Sequence, residues 1–279
     1  MLVPMIESMS KARTDGYCVP ALGCSNEHNL HACLAAAEEK RSPVILLVMY
    51  GANPNFQYFG RICTDLARRS SVPVSIILDH GAKYEHAVAA IRAGFTDVMI
   101  DRSSLPFDEN VAQVKEIVKI AHAVGVGVEA ELGHVGSNLD GGETGKADES
   151  VFTVPEEAVR YVHETGVDTL AVSIGTAHGA YKGVPELQFD LLEQLREQVP
   201  VPLVLHGGSG SGDDNLRRAC SMGICKLNIA YDLYRGAIDA LESVDMSGNT
   251  VYGLYDIVAN GIKDAAMHAM DLCGSVDKA

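Results

Sequence analysis

Positive charge is scarce in this chain. Its 279 residues carry 22 Lys and Arg against 37 Asp and Glu, a formal net charge of −15. Non-specific nucleic-acid binding needs a basic surface, and so does attraction to anionic membranes, so both partner classes are disfavoured. No uninterrupted apolar stretch reaches the ~18 residues of a membrane span. The opening "MLVPMIESMSKARTDG" has no basic region followed by an apolar core, so no signal peptide is expected. The seven cysteines, an odd number, lack any CxxC spacing and sit largely in apolar runs. That usage suits buried thiols in a reducing, cytoplasmic compartment better than a disulfide framework. Low-complexity segments and abrupt composition shifts are also missing, so the chain reads as one domain over 1–279.

What is present is alternation. Eight short apolar runs recur: "YCVPALGC" (17–24), "PVILLVMY" (43–50), "VPVSIILDH" (72–80), "DVMID" (97–101), "VGVEAEL" (126–132), "TLAVSIG" (169–175), "VPLVLHGG" (201–208) and "KLNIA" (226–230). Runs apolar at both alternating positions fit parallel strands covered on both faces. Helix-period segments separate them, including 28–41, 108–125, 154–166 and 213–223. Pro155 stands near the start of the third and Gly166 just past its end. Eight strand–helix repeats predict an α/β fold, a (β/α)8 barrel with an extra N-terminal helix near 4–15 and a helical tail after Gly248. The glycine-rich stretch between "AELG" and "TVPEE" is expected to be a mobile lid or a surface insertion.

In such a barrel, chemistry gathers at the C-terminal ends of the strands. Asp79 and His80 end the third run and Asp101 ends the fourth. Glu129 and Glu131 lie in the fifth, and His178 follows the sixth. His206 ends the seventh and Asn228 lies in the eighth. An acid beside a histidine at the end of a covered strand either caps the next helix or holds something. One histidine at a strand end is ordinarily a satisfied polar residue. Three converging on one rim suit a zinc shell with an open position. "HGGSG" (206–210) resembles a phosphate-cradling loop, and alone it is also compatible with a plain turn.

Several segments together carry a resemblance. "LDHG", "MIDRSSLPFDENV", "VEAELGHVG", "TGVDTLAVSIGTAHGAYKG", "PLVLHGGSG" and "KLNIA" are similar, in order and over nearly the whole chain, to class II zinc-dependent ketose-bisphosphate aldolases, particularly the tagatose/fructose branch. The resemblance implies a zinc-dependent lyase that cleaves or forms a C–C bond of a ketose, its phosphate or a related sugar through a metal-stabilised enediolate. It implies one catalytic zinc on His80, His178 and His206, with Asp79 as the acid/base. Asp101 and Glu131 match acids that hold a second or displaced metal position, and a second divalent or a monovalent cation is allowed for. Gly179, Gly207, Ser209 and Asn228 match substrate and phosphate positions. A homo-oligomer, dimer or tetramer, is implied as well.

The departures lie on the substrate side. Gly23 stands where the family has Asn, Met49 and Tyr50 where part of it has Ser, and Tyr231 where it has a phosphate-binding Thr. Arg102 replaces a Gly. The lid's usual Glu aligns with Leu139, leaving Asp140 and Glu143 as substitutes. These changes predict an aldolase with a substrate other than fructose 1,6-bisphosphate. A metal-dependent isomerase or epimerase and a non-catalytic sugar-binding protein are the competing readings.

Overall fold

The apolar runs do form strands, and the strands close on themselves. A computed structural model describes residues 1–136, 151–179, 181–245 and 247–279. Its elements run α1 (Met5–Asp15), β1 (Val19–Gly23), α2 (Glu27–Lys40), β2 (Val44–Met49), α3 (Phe56–Arg69), β3 (Val74–Gly81), α4 (Tyr84–Ala93), β4 (Asp97–Ile100), α5 (Phe107–His122) and β5 (Gly127–Leu132). They continue with α6 (Pro155–Thr165), β6 (Thr169–Val172), α7 (Phe189–Gln198), β7 (Leu203–Leu205), α8 (Asp213–Ser221), β8 (Ile224–Ile229), α9 (Tyr231–Glu242) and α10 (Val251–Cys273). All eight strands are parallel, in sequence order, and β1 pairs with β8 to close the barrel. The expected (β/α)8 barrel is therefore present, with α1 and α10 as the extra helices. Among the described residues no helix is long and apolar enough to cross a membrane.

Two cores explain why the strands read as continuous apolar runs. Outward-pointing residues such as Leu46, Ile76, Val98, Val128 and Leu170 pack under the helices. Inward-pointing residues such as Ala21, Ile45, Ile77, Met99, Ala171 and Val204 fill the lumen. Because side chains alternate along a strand, both positions are buried and the period-two signal disappears. Helix α1 closes the N-terminal mouth of the barrel. Its Met5 and Met9 side chains, 1% and 0% exposed, join the lumen cluster. The Met5 N–H donates to the Asp97 carboxylate at 2.9 Å.

Two expected strands end early. The seventh run was expected over 201–208, but β7 stops at Leu205, and the sixth stops at Val172 rather than 175. Ser173 to Thr176 and His206 to Ser209 remain buried beneath the loops above them. Burial without pairing leaves no compositional mark of the strand's end. The helix-period segment 108–125 also ends early: α5 stops at His122, and Gly125 occupies the following turn at φ +73°.

Burial pushes the Asp97 carboxyl up to about 7. The folded state therefore keeps a proton that the unfolded chain has released. The stability this proton contributes is complete below the ordinary carboxylate range and is lost as pH rises through 7. Urea titrations of the wild type and Asp97→Asn should show the wild type losing ground by up to roughly 4 kcal/mol between pH 4 and 8. A constant difference between the two proteins across that range would mean that Asp97 keeps no such proton.

Candidate active site

Adjacent strand residues ordinarily face opposite ways, yet Asp79 and His80 both line one cavity. The ladder between β3 and β4 slips between Leu78 and Gly81, and His80 takes the left-handed conformation at φ +45°. That bulge re-aims both side chains toward the lumen. Gly81 is required next to it, since a Cβ there would lie 2.5 Å from the Met99 carbonyl oxygen. The triplet Asp-His-Gly is thus one device: a carboxylate, a bulged imidazole and a glycine that lets β3 and β4 approach.

The cavity, about 440 Å³, opens at the C-terminal ends of the strands. Asp79, His80, Asp101, His178, Gly179, Gly207, Ser209 and Asn228 all line it. Glu131 lies behind them, 1% exposed, with one carboxylate oxygen 3.4 Å from His206 Nδ1. All ten site positions expected from the sequence therefore gather at one end of the barrel. The possible lid acids, Asp140 and Glu143, lie outside the described residues.

Each of the three imidazoles has one side already taken. His80 Nδ1 faces Asp101 Oδ2 at 2.9 Å, and His206 Nε2 faces Glu129 Oε1 at 3.0 Å. The Val135 backbone is hydrogen-bonded to His178. This leaves His80 Nε2 and His206 Nδ1, 3.0 Å apart, and His178 Nε2, which is buried without a partner. The three rings offer ligand atoms within 4.8 Å of one another, and so does the set His80, Asp101 and Glu131. A Glu131 oxygen is likewise buried and unpartnered. Ligand atoms aimed at a shared space, two of them with no hydrogen-bond partner, are what a cation site requires. The residues fit a divalent metal.

Electrostatics point the same way. Burial works against charge on His80, but Asp79, Asp101 and Glu131 outweigh it and push the ring up to about 9. Burial, helped by the neighbouring His206 and His80, pulls His178 down to about 4. The cluster accordingly attracts positive charge while keeping His178 neutral and able to donate its lone pair.

Beneath the site lies a pair that the sequence expectation did not single out as functional. Lys226 Nζ sits 2.8 and 2.9 Å from the two carboxylate oxygens of Glu129, both side chains fully buried. Burial alone would raise the Glu129 carboxyl; Lys226 and His206 reverse this and hold it near about 2. Glu129 is thus fixed as an acceptor and sets the tautomer of His206. The signal was present: 129 and 131, like 226 and 228, are polar at period two inside apolar strands. Tyr181 was also missed. Its hydroxyl accepts from the Ala177 N–H at 2.6 Å and lies 2.9 Å from the Gly207 carbonyl, joining the loops that carry His178 and His206. Gly207 itself, at φ +66°, has no room for a Cβ, which would fall 2.5 Å from the Ala177 carbonyl oxygen.

The comparisons with known proteins decide among the readings. The family model for class II fructose-bisphosphate aldolase matches residues 3–278. This chain belongs to that family. A fructose-bisphosphate aldolase of Thermus caldophilus is 39% identical over 310 aligned positions, with the whole of both chains covered. The YdjI aldolase of Escherichia coli K12 superposes with a TM-score of 0.90 at 33% identity, again over all of both chains. The chain is thus a C–C-cleaving aldolase, which sets aside the isomerase and the non-catalytic readings. The family implies a divalent metal, usually zinc, and a sugar phosphate substrate.

The polar layer under this aldolase site has a measurable cost of disruption. Lys226→Met leaves the Glu129 carboxylate buried without its ammonium partner, and should lower urea-unfolding stability by about 3–5 kcal/mol. Adding Glu129→Gln should recover much of that loss. No recovery in the double variant would show that Lys226 acts through packing rather than charge.

Proposed function

We propose that one zinc ion per chain is held by His80 Nε2, His178 Nε2 and His206 Nδ1, and that Asp79 is the acid/base. The observation that carries the reading is that these three nitrogens face one space while the opposite side of each ring is held by the protein. Zinc bound there would act as a Lewis acid on the carbonyl side of the substrate. Asp79 accepts a hydrogen bond from Asn228 Nδ2 at 3.3 Å and borders the cavity. From that position it takes the proton of the substrate hydroxyl as the C–C bond breaks and returns it in the reverse direction. Asp101 holds His80. Its acceptor role is reinforced by two donors from Ser103, the backbone N–H at 3.0 Å and the hydroxyl at 2.8 Å. Together with Glu131 it also offers the second cation position.

The phosphate end of the substrate is assigned to the α9 side of the cavity, where Gly179, Gly207, Ser209 and Asn228 meet the helix start. Backbone N–H groups at a helix N-terminus favour a phosphate there. The Ser209 hydroxyl braces this corner by accepting from the N–H groups of Ala230 and Asp232, both at 3.2 Å. Among the described residues no Lys or Arg lines the cavity; its outer wall is Met49, Tyr231 and Tyr234. Arg102 is turned away, donating to the Asp101 carbonyl at 2.7 Å and to Gln113. At Gly23 a Cβ would lie 2.8 Å from that of Ala230, so a polar side chain is excluded by the neighbouring loop. These features support a ketose phosphate whose far end bears no second phosphate, rather than fructose 1,6-bisphosphate. The seven described cysteines, all free and buried, support a cytoplasmic setting. Assembly of the single 1–279 unit into a dimer or tetramer is part of the same proposal.

Elemental analysis of protein purified without chelator tests the metal assignment. About one zinc per chain is expected, lost in His206→Ala. Asp79→Asn should keep its zinc and lose activity by roughly 10²–10⁴-fold. Zinc retained in His206→Ala would refute the three-histidine site. For the substrate, kcat/KM should favour a ketose 1-phosphate over fructose 1,6-bisphosphate. A preference for the bisphosphate in the wild type would overturn the substrate assignment and leave the metal assignment standing.

A further inference from the structure

A second cluster of ligand atoms lies at the opposite end of the barrel. Cys18 directly precedes β1, Cys220 is in the last turn of α8, and Cys273 is the final residue of α10. The backbone ties two of them together: the Cys18 N–H donates to the Cys273 carbonyl at 2.9 Å. All three sulfurs lie within 4.8 Å of one another, and the residues are 0%, 4% and 1% exposed. The aldolase chemistry uses none of them, since it sits at the C-terminal ends of the strands.

We propose that Cys18, Cys220 and Cys273 form a binding site for a thiophilic monovalent metal ion with the chemistry of Cu(I). Sulfurs placed ~2.3 Å from a common centre in a trigonal plane stand about 4 Å apart, inside the 4.8 Å that bounds the present spacing. Among the described residues the group contains no fourth cysteine, histidine or carboxylate. Structural zinc sites hold four ligands, whereas soft ions that accept few sulfur donors suit three.

All three cysteines belong to the apolar core between strands and helices, which favours an ion of low charge. A route exists as well: a cavity of about 170 Å³, lined in part by Arg13, Tyr17, Arg196 and Cys225, reaches Cys220. An ion bound there would join the chain's first strand to its last helix.

The test uses the intact protein loaded with its catalytic metal, under anaerobic conditions, titrated with Cu(I) against a coloured chelator. One equivalent should leave the chelator, with sulfur-to-copper charge-transfer absorption and three sulfur scatterers in X-ray absorption. Affinity should fall at least tenfold in Cys220→Ser and in Cys273→Ser. It should be unchanged in Cys63→Ser, which alters a buried thiol outside the cluster. The melting temperature should rise on loading only in proteins that keep the trio. Far-ultraviolet circular dichroism checks that each variant is folded, and Cys18→Ala replaces one that is not. Copper bound through nitrogen, equal affinity in wild type and the folded trio variants, or equal loss in Cys63→Ser would each overturn the proposal.

Discussion

Holding one nitrogen of an imidazole fixes which nitrogen it can offer to an ion, and this constraint organises the catalytic end of the molecule. The acceptors that settle the three rings come from three different places: Asp101 just beyond β4, the backbone near Val135, and Glu129 within β5. Each acceptor is itself held. Ser103 donates twice to Asp101, and Lys226 neutralises Glu129. The site is therefore a stack in which the lumen's buried ion pair supports an imidazole, and the imidazole presents a nitrogen to the cavity. A hydrophobic layer at the height of Glu129 and Lys226 would pack as well, and the desolvation of two charges would be avoided. What such a layer lacks is a direction: it cannot tell His206 which nitrogen to expose.

Much of this was legible in sequence because the barrel repeats one simple rule. Eight apolar runs separated by helix-period segments leave few alternatives, and polar residues at the ends of those runs stand out. His80, His178, His206 and Asp79 were readable for that reason. The layer beneath them was harder. Glu129 and Lys226 are distant in sequence, and a lone buried lysine in a strand gives no hint of its partner until β5 and β8 face each other across the lumen. The bulge at His80 was also invisible, since the sequence shows Asp-His-Gly but not the register slip that aims both side chains inward. The ends of β6 and β7 were overrun because burial continues past the last ladder bond. On the substrate side, Arg102 illustrates the limit of reading one residue at a time. It replaces a family Gly close to the site, yet the Asp101 carbonyl and Gln113 take two of its donors.

The two ends of the barrel divide the labour. Polar groups crowd the C-terminal end, where loops can vary and a cavity opens. Helix α1, its two methionines and the buried Asp97 carboxyl seal the other. The chain's own amino terminus is drawn into that seal: the Met1 ammonium donates to the Val72 carbonyl at 2.8 Å, and the Val3 N–H donates to the Val74 carbonyl at 2.9 Å.

The pairing of Val19 with Lys226 that closes the barrel has a consequence for how the molecule comes into being. During synthesis the edge of the first strand waits, unpaired, until the eighth has left the ribosome. Contacts so distant along the chain are slow to form, because loop-closure entropy is spent before they return anything. The three histidines proposed as metal ligands straddle the same gap, with one in the first third of the chain and two in the last half. Their meeting records that closure has happened, so the capacity to capture a cation is acquired late and all at once, as the last step of maturation rather than its nucleus.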